Sequence, residues 1–305
     1  MDYKKIIKSR KFRIKIMQFL SFIPDEIMVR LQYRIKTGRK LNLKNPQRFT
    51  EKLQYYKLYY RDPLMAQCAD KYEVRKYVES CGLGCILNEL YGIFDDPDEI
   101  DFDALPDSFV MKDTLGGGGN SVIIVKNKSD IDEGQIRKQL REWVNQPVNC
   151  KHPGREWVYE GRPHRIIIEK YIEEDLDKGG LIDYKFFCEK NKAKYLYVIT
   201  DRKVGGKASF GIFDAEFNRL NVVRIDENAL EREINKPQNY ARLKVVAEKL
   251  SKPFPEVRID LYNVNQKIVF GEITFFDGSG YMSFCPDSFD YEIGKQFTLP
   301  GRNNL

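Results

Sequence analysis

Lys112 ends a β-rich run, Ser108 to Lys112, just ahead of Gly116, Gly117, Gly118 and Gly119, after which Asn120 and Ser121 lead into a second such run ending at Val125. Glycine has no Cβ, so a loop of this kind can bring backbone N–H groups against phosphate oxygens while a lysine on the preceding strand neutralises their charge. The spacing is neither that of a GxxxxGK[ST] loop nor that of a Rossmann turn entering a helix, and alone it suits a flexible hairpin tip equally well. A second constellation lies near the C-terminus, where alternation puts Arg258 and Asp260 on one face of a strand and Glu272 and Thr274 on one face of the next. Val257, Ile259, Leu261, Val269, Phe270 and Ile273 flank them and imply a buried sheet. Buried carboxylates need a cation or a positive partner, and hard oxygen donors suit a magnesium ion shared with nucleotide phosphates.

The elements that must hold these residues change character along the chain. The first 60 residues read as helical, with an N-cap at Thr50, and Ala69 to Val78 forms a further helix that stops at Gly82 and Gly84. From about residue 86 short β-rich runs dominate: Ile86-Leu87, Ser108 to Lys112, Ser121 to Val125, Arg165 to Glu169, Tyr184 to Cys188 and Lys194 to Ile199. Two amphipathic helices, Asp130 to Val144 and Tyr240 to Leu250, fall among them, and a hairpin composition at 263–266 joins strands Glu256 to Tyr262 and Lys267 to Phe275. This order predicts an α+β fold with antiparallel sheets, flanking helices and a domain boundary near residue 106.

Composition narrows the classes. The chain has 305 residues, 42% hydrophobic and 31% charged, enough for a full core. Its net charge of +6 is unevenly spread, since residues 1–48 hold fourteen Lys or Arg against three Asp or Glu, a net +11 that leaves −5 for the rest. The basic segment lacks the Arg/Gly repeats and spaced stacking aromatics of single-strand binders, which disfavours nucleic acid. Phe12, Ile14, Ile16, Met17, Phe19, Leu20, Phe22 and Ile23 lie among its cations, a pattern suited to peripheral contact with an anionic membrane surface or polymer, or to packing on its own domain. There is no apolar run of membrane-spanning length and no signal-peptide core, so the expected location is cytoplasmic, with any membrane contact at the inner face. Six scattered cysteines and only two histidines, His152 and His164, speak for reduced thiols and against zinc.

Six ordered blocks, Phe49 to Lys52, Asp70 to Arg75, Leu105 to Lys112, Ile168 to Tyr171, Asp183 to Lys185, and Arg258 to Asp260 through Gly280, resemble the ATP-grasp enzymes. Within them the chain is similar to the TupA-like group linked to teichuronopeptide and other bacterial surface-polysaccharide (capsule) synthesis. The resemblance implies an ATP-grasp fold with a basic helical N-terminal extension over 1–60, an N-terminal part of the ATP-grasp region over 61–106 and the nucleotide-binding and catalytic domain over 107–305. It implies ATP and Mg2+ as cofactors. Lys112 would bind α- and β-phosphates under a flap from Gly116 to Ser121, and Glu169, Lys170, Tyr171 and Ile172 would form the hinge that reads adenine. Asp183 and Lys185 would sit beside the nucleotide. Asp260 and Glu272 would ligate magnesium, and Arg258 would stabilise the charge of an acyl-phosphate step. Thr274 stands where many ATP-grasp ligases place asparagine, which leaves the number of metal ions open.

The implied reaction is carboxylate–amine ligation to an amide. A uronic acid of an anionic glycan or lipid-linked glycan is a fitting carboxylate, and an amino acid or amino sugar a fitting amine. The alternative is a glycosyltransferase or phosphotransferase of capsule or O-antigen assembly; its DxD hallmark is met only by Asp101 and Asp103, in a stretch that reads as acidic surface. No motif fixes the oligomeric state.

Overall fold

A computed structural model describes residues 16, 18–117, 121–148, 150–173, 180–201 and 208–302. Within them lie helices α1 (Asp25–Thr37), α2 (Phe49–Tyr59), α3 (Pro63–Ala69), α4 (Glu73–Ser80), α5 (Glu133–Val144), α6 (Tyr240–Ser251) and α7 (Ser288–Gln296). The strands are β1 (Leu90–Phe94), β2 (Phe109–Asp113), β3 (Val122–Val125), β4 (Ile166–Lys170), β5 (Asp183–Glu189), β6 (Lys192–Thr200), β7 (Ser209–Asp214), β8 (Val223–Arg224), β9 (Asn228–Ala229), β10 (Glu256–Val264), β11 (Lys267–Thr274) and β12 (Phe284–Cys285). They form a four-stranded sheet in the order β1-β4-β2-β3, a six-stranded sheet in the order β11-β10-β5-β6-β7-β9, and the pair β12-β8. The fold is α+β, and every pairing is antiparallel except β7 with β9.

Each sheet has one apolar face and one that carries charge. In the four-stranded sheet Phe109, Met111, Ile166 and Ile168 pack with Leu140 and Trp143 of α5 and with Phe102, which leaves Val110, Lys112, Ile167 and Glu169 on the other face. In the six-stranded sheet Val257, Ile259, Leu261, Tyr184, Phe186 and Cys188 point to the side covered by Leu243, Val246, Ala247 and Leu250 of α6. Ile259 is fully buried there, and its truncation to alanine would cost about 2–5 kcal/mol. The opposite face receives α2 and α7: Phe49 of α2 meets Phe187, Tyr195 and Phe297 just past α7, and Phe289 of α7 meets Tyr195. Gly294 is what lets α7 lie against the start of α2, because a Cβ there would collide with the backbone of Gln47 and Phe49.

Two local expectations are corrected. Thr50 is not the N-cap of α2: Glu51 turns back to accept from Gln47 N (3.0 Å) and Arg48 N (3.2 Å), so the helix begins at Phe49. Thr50 is buried instead, with its N–H and hydroxyl donating to Asp290 of α7 at 3.0 and 2.8 Å. Ile86-Leu87 is not a strand, because the chain leaving α4 keeps winding through a 3-10 turn, Gly84–Ile86, and Ile86 plugs the core. The hairpin between β10 and β11 tightens to two residues, Asn265 and Gln266, both at positive φ.

Candidate active site

β2 and β4 present one half of the candidate site. Lys112 Nζ lies 2.7 Å from Glu169 Oε2, and Arg75 from α4 reaches Glu169 Oε1 at 3.2 Å. Val110 and Ile167 share that face as an apolar patch beside the lysine. Beyond Lys112 the chain turns tightly: Asp113 N takes Ser121 O at 3.1 Å, and a Cβ on Gly116 would strike the Ser121 side chain. Gly116, Gly117 and Ser121 therefore form the base of the glycine loop. Gly118, Gly119 and Asn120 lie outside the described residues. Glu169, Lys170, Tyr171 and Ile172 run off the end of β4 as a hinge would, and the Glu169 side chain faces back over Lys112.

β5, β10 and β11 present the other half. The register pairs Asp260 with Glu272 on one side and Lys185 on the other, and Arg258 with Thr274, so these side chains meet on one face. A bulge follows Asp260, and Gly271 sits across from it, where a Cβ would come within 3.0 Å of Asp260 O. Arg258 grips Asp260 through Nε and Nη2, both at 2.8 Å, and also reaches Glu272 Oε1 (3.1 Å), Thr274 Oγ1 (3.0 Å) and Asp277. Lys185 bridges Asp260 and Asp183 Oδ2, the latter at 2.7 Å. Burial, the largest influence, raises the Asp260 carboxyl against the pull of Arg258 and Lys185. Burial also opposes the Arg258 charge, but Asp260 and Asp277 outweigh it and hold the guanidinium well above its ordinary range.

Three residues that sequence reasoning passed over belong to this place. Lys71 donates from its backbone to Thr114 O at 2.9 Å and from Nζ to Gly116 O, so it supports the glycine loop. Burial, the largest influence, lowers its ammonium, while Glu272 of one sheet raises it and Lys112 of the other lowers it. Its block, Asp70 to Arg75, is visible in sequence, but helical spacing gives no reason to pick the lysine. Tyr159 lies in a 3-10 turn, Trp157–Tyr159, and its hydroxyl is pushed up by burial, then by Glu156 and Glu272. Asp277, in the turn after β11, holds Arg258 from outside the sheet and also meets Arg224 at 3.5 Å. No periodicity marks either residue.

The model of the TupA-like ATP-grasp family matches residues 51–298. The chain belongs to that family. Similar solved structures include the D-alanine–D-alanine ligase from Bacillus anthracis (17% identity, 70% of this chain, 59% of that chain, TM-score 0.44) and that from Helicobacter pylori (14%, 78%, 60%, 0.43). The ATP-grasp ligase PsnB complexed with minimal precursor is another (11%, 77%, 63%, 0.41). The chain thus spans about three-fifths of the length of each of these proteins. Comparison with curated proteins finds no match.

In this TupA-like ATP-grasp chain Asp260 and Glu272 are not equivalent. The Asp260 side chain is 1% exposed and its two oxygens take N–H donors from Arg258 and Lys185, whereas Glu272 is 38% exposed. Among the described residues no group of three or more His, Cys, Asp or Glu gathers as a metal cage. Glu272 with the Thr274 hydroxyl is a donor set that fits magnesium only if phosphate and water oxygens complete the shell, which is that ion's habit. Asp101 of the candidate DxD pair uses its carboxylate on Asp103 N (3.0 Å) and Ala104 N (3.4 Å) in an exposed turn, a local structural role.

Proposed function

We propose that the protein is an ATP-dependent carboxylate–amine ligase that works through an acyl-phosphate. The observation that supports this most is the presence of two charged sheet faces, Lys112 beside the glycine-loop base on one and Arg258, Lys185 and Glu272 on the other, with the Lys71 ammonium subject to the charges of both Lys112 and Glu272. ATP would lie with its base beside the 169–172 hinge and its phosphates between Lys112, Lys71 and the N–H groups of the glycine loop. Glu272 and Thr274 would hold Mg2+, which when bound neutralises phosphate charge. Asp183 would lie beside the nucleotide, holding the Lys185 ammonium at 2.7 Å.

The carboxylate oxygen of the donor attacks the γ-phosphorus, the bond between the γ-phosphorus and the β–γ bridging oxygen breaks, and ADP leaves. An amine then attacks the acyl carbon, loses a proton and expels inorganic phosphate. Arg258, fixed by Asp260 and Asp277, is placed to stabilise the negative charge on the acyl-phosphate and on the tetrahedral species that follows. Lys185 is aimed at the same space. The acidic donor we favour is a uronic acid of an anionic surface glycan or its lipid-linked precursor, and the amine an amino acid or amino sugar. The test is an ATP-consumption assay over a panel of uronic acids and amines. Amine-dependent release of ADP and phosphate with amide formation is expected, whereas release of UDP or GDP from sugar nucleotides would move the reading to glycosyl transfer.

A further inference from the structure

α1 has two working faces. Met28, Val29, Gln32 and Tyr33 are buried, and they pack with Leu41, Leu43 and Tyr281. On the other side Ile27, Leu31 and Ile35, spaced four apart, stand 58%, 49% and 46% exposed, and Phe22 and Phe19 ahead of the helix are 74% and 78% exposed. Five of the eleven exposed large apolar side chains in the described structure fall in this one stretch, while the other six are scattered from residue 124 to residue 291. Single exposed apolar residues need no explanation; a continuous ridge does. Arg34, on the same helix as the ridge, lies with its guanidinium in the open at the helix end, and Lys40 and Lys44, which follow the helix in sequence, are exposed.

We infer that this ridge docks the protein on an anionic lipid bilayer, with α1 lying in the interface plane. The inference does not depend on the ligase reading. Apolar insertion and electrostatic attraction are each marginal alone and together give stable peripheral binding, and both are present in one segment that carries +11 over residues 1–48. A second copy of the chain would bring two such basic segments together, and aliphatic Ile27, Leu31 and Ile35 offer nothing to nucleic acid. The docked orientation matters for the site. The buried face of α1 holds Tyr281, whose hydroxyl donates to Gln32 Oε1 at 2.7 Å with Lys36 Nζ 4.1 Å from the ring centroid, and Tyr281 closes the turn that begins at Asp277, the partner of Arg258. One helix diameter, about 10 Å, then separates lipid from the loop beside the cleft.

The test is flotation of the full chain with vesicles of phosphatidylcholine alone and of phosphatidylcholine with about one-third phosphatidylglycerol. The wild type is expected to float with the anionic vesicles only and to be released by salt. The double substitution Leu31→Glu/Ile35→Glu should lower its partition by about tenfold or more. Both side chains are exposed, so ATP-dependent thermal stabilisation of that variant should match wild type. Leu31→Trp, a milder change, should show a blue-shifted emission on adding anionic vesicles. Wild type that stays unbound, a double variant that binds as well as wild type, an unshifted Leu31→Trp spectrum, or a lipid-free dimer that the double variant dissociates would each overturn the inference.

Discussion

Lys112 and Arg258 each face a glutamate from a neighbouring strand, yet their surroundings differ in kind. Lys112 is 27% exposed and Glu169 11%, so their pair borders the cleft and can be exchanged for a phosphate contact at little cost. Arg258, Asp260, Lys185, Asp183 and Asp277 are all 10% exposed or less and bind one another at several points. Removing such charges from water is expensive, and it is recovered only when every one is paired. One half of the cleft is thus built to let go, the other to stay fixed.

The largest effect expected from this contrast is on folding. Read from sequence, Asp260 and Glu272 are two like metal ligands. In the structure Asp260 is the shared counter-ion of two buried cations, so Asp260→Asn should lose about 3–5 kcal/mol of stability in urea unfolding. A loss within about 0.5 kcal/mol would mean the cluster is not fixed in advance and would erase the contrast. Next comes Glu272→Gln. This half-exposed carboxylate should cost less than about 1 kcal/mol of stability, while turnover falls by about a hundredfold, or about 2.7 kcal/mol of barrier. Equal rates in a magnesium-saturated assay would remove Glu272 from the chemistry.

Lys112→Ala probes the side built to let go. Arg75 still neutralises Glu169, so folding should be nearly unchanged, but ATP affinity by calorimetry should fall about ten- to a hundredfold for the lost charge-assisted contact. Unchanged affinity would show that the Lys112–Glu169 pair is structural and does not open for phosphate.

What the sequence made legible follows from which signals are local. Strand alternation placed Arg258 with Asp260 and Glu272 with Thr274, but the four meet only because of the bulge after Asp260, since the register set by the two-residue turn alone would put Asp260 opposite Gly271. The glycine loop announced itself by composition. Burial was not legible: nothing in the strings around Asp260 and Glu272 distinguishes a carboxylate locked by Lys185 from one open to the cleft, since that depends on β5 pairing with β10 across some seventy residues. Lys71, Tyr159 and Asp277 were missed for the same reason, being placed by turns and caps rather than by period. β7 also escaped notice, because Ser209–Asp214 carries a glycine where Leu230 and Phe213 press in.

A third kind of charge is buried with backbone carbonyls rather than a carboxylate in direct contact. Lys57 of α2 is 1% exposed, and its Nζ donates to Gly154 O at 2.9 Å and Ser279 O at 3.0 Å, tying together the turns that carry Tyr159 and Asp277. Burial is the main influence on this ammonium and lowers it to about 7, with Glu156 pulling up and Lys36 pushing down. An unfolded lysine titrates near 10.4, so between about pH 7 and 10 the unfolded chain binds more protons than the native one. Stability therefore gains a favourable contribution as pH rises through that window, of at most about 1.4 kcal/mol per pH unit, and the contribution is absent below pH 7, where both states are protonated. Lys57→Met should abolish it: the wild-type unfolding free energy, measured in urea at intervals across the window, should climb relative to the variant. A constant difference between the two would show that Lys57 keeps its proton in the fold, held by Glu156 as firmly as Asp260 holds Lys185, and the buried half of the molecule would then contain one kind of charge, not two.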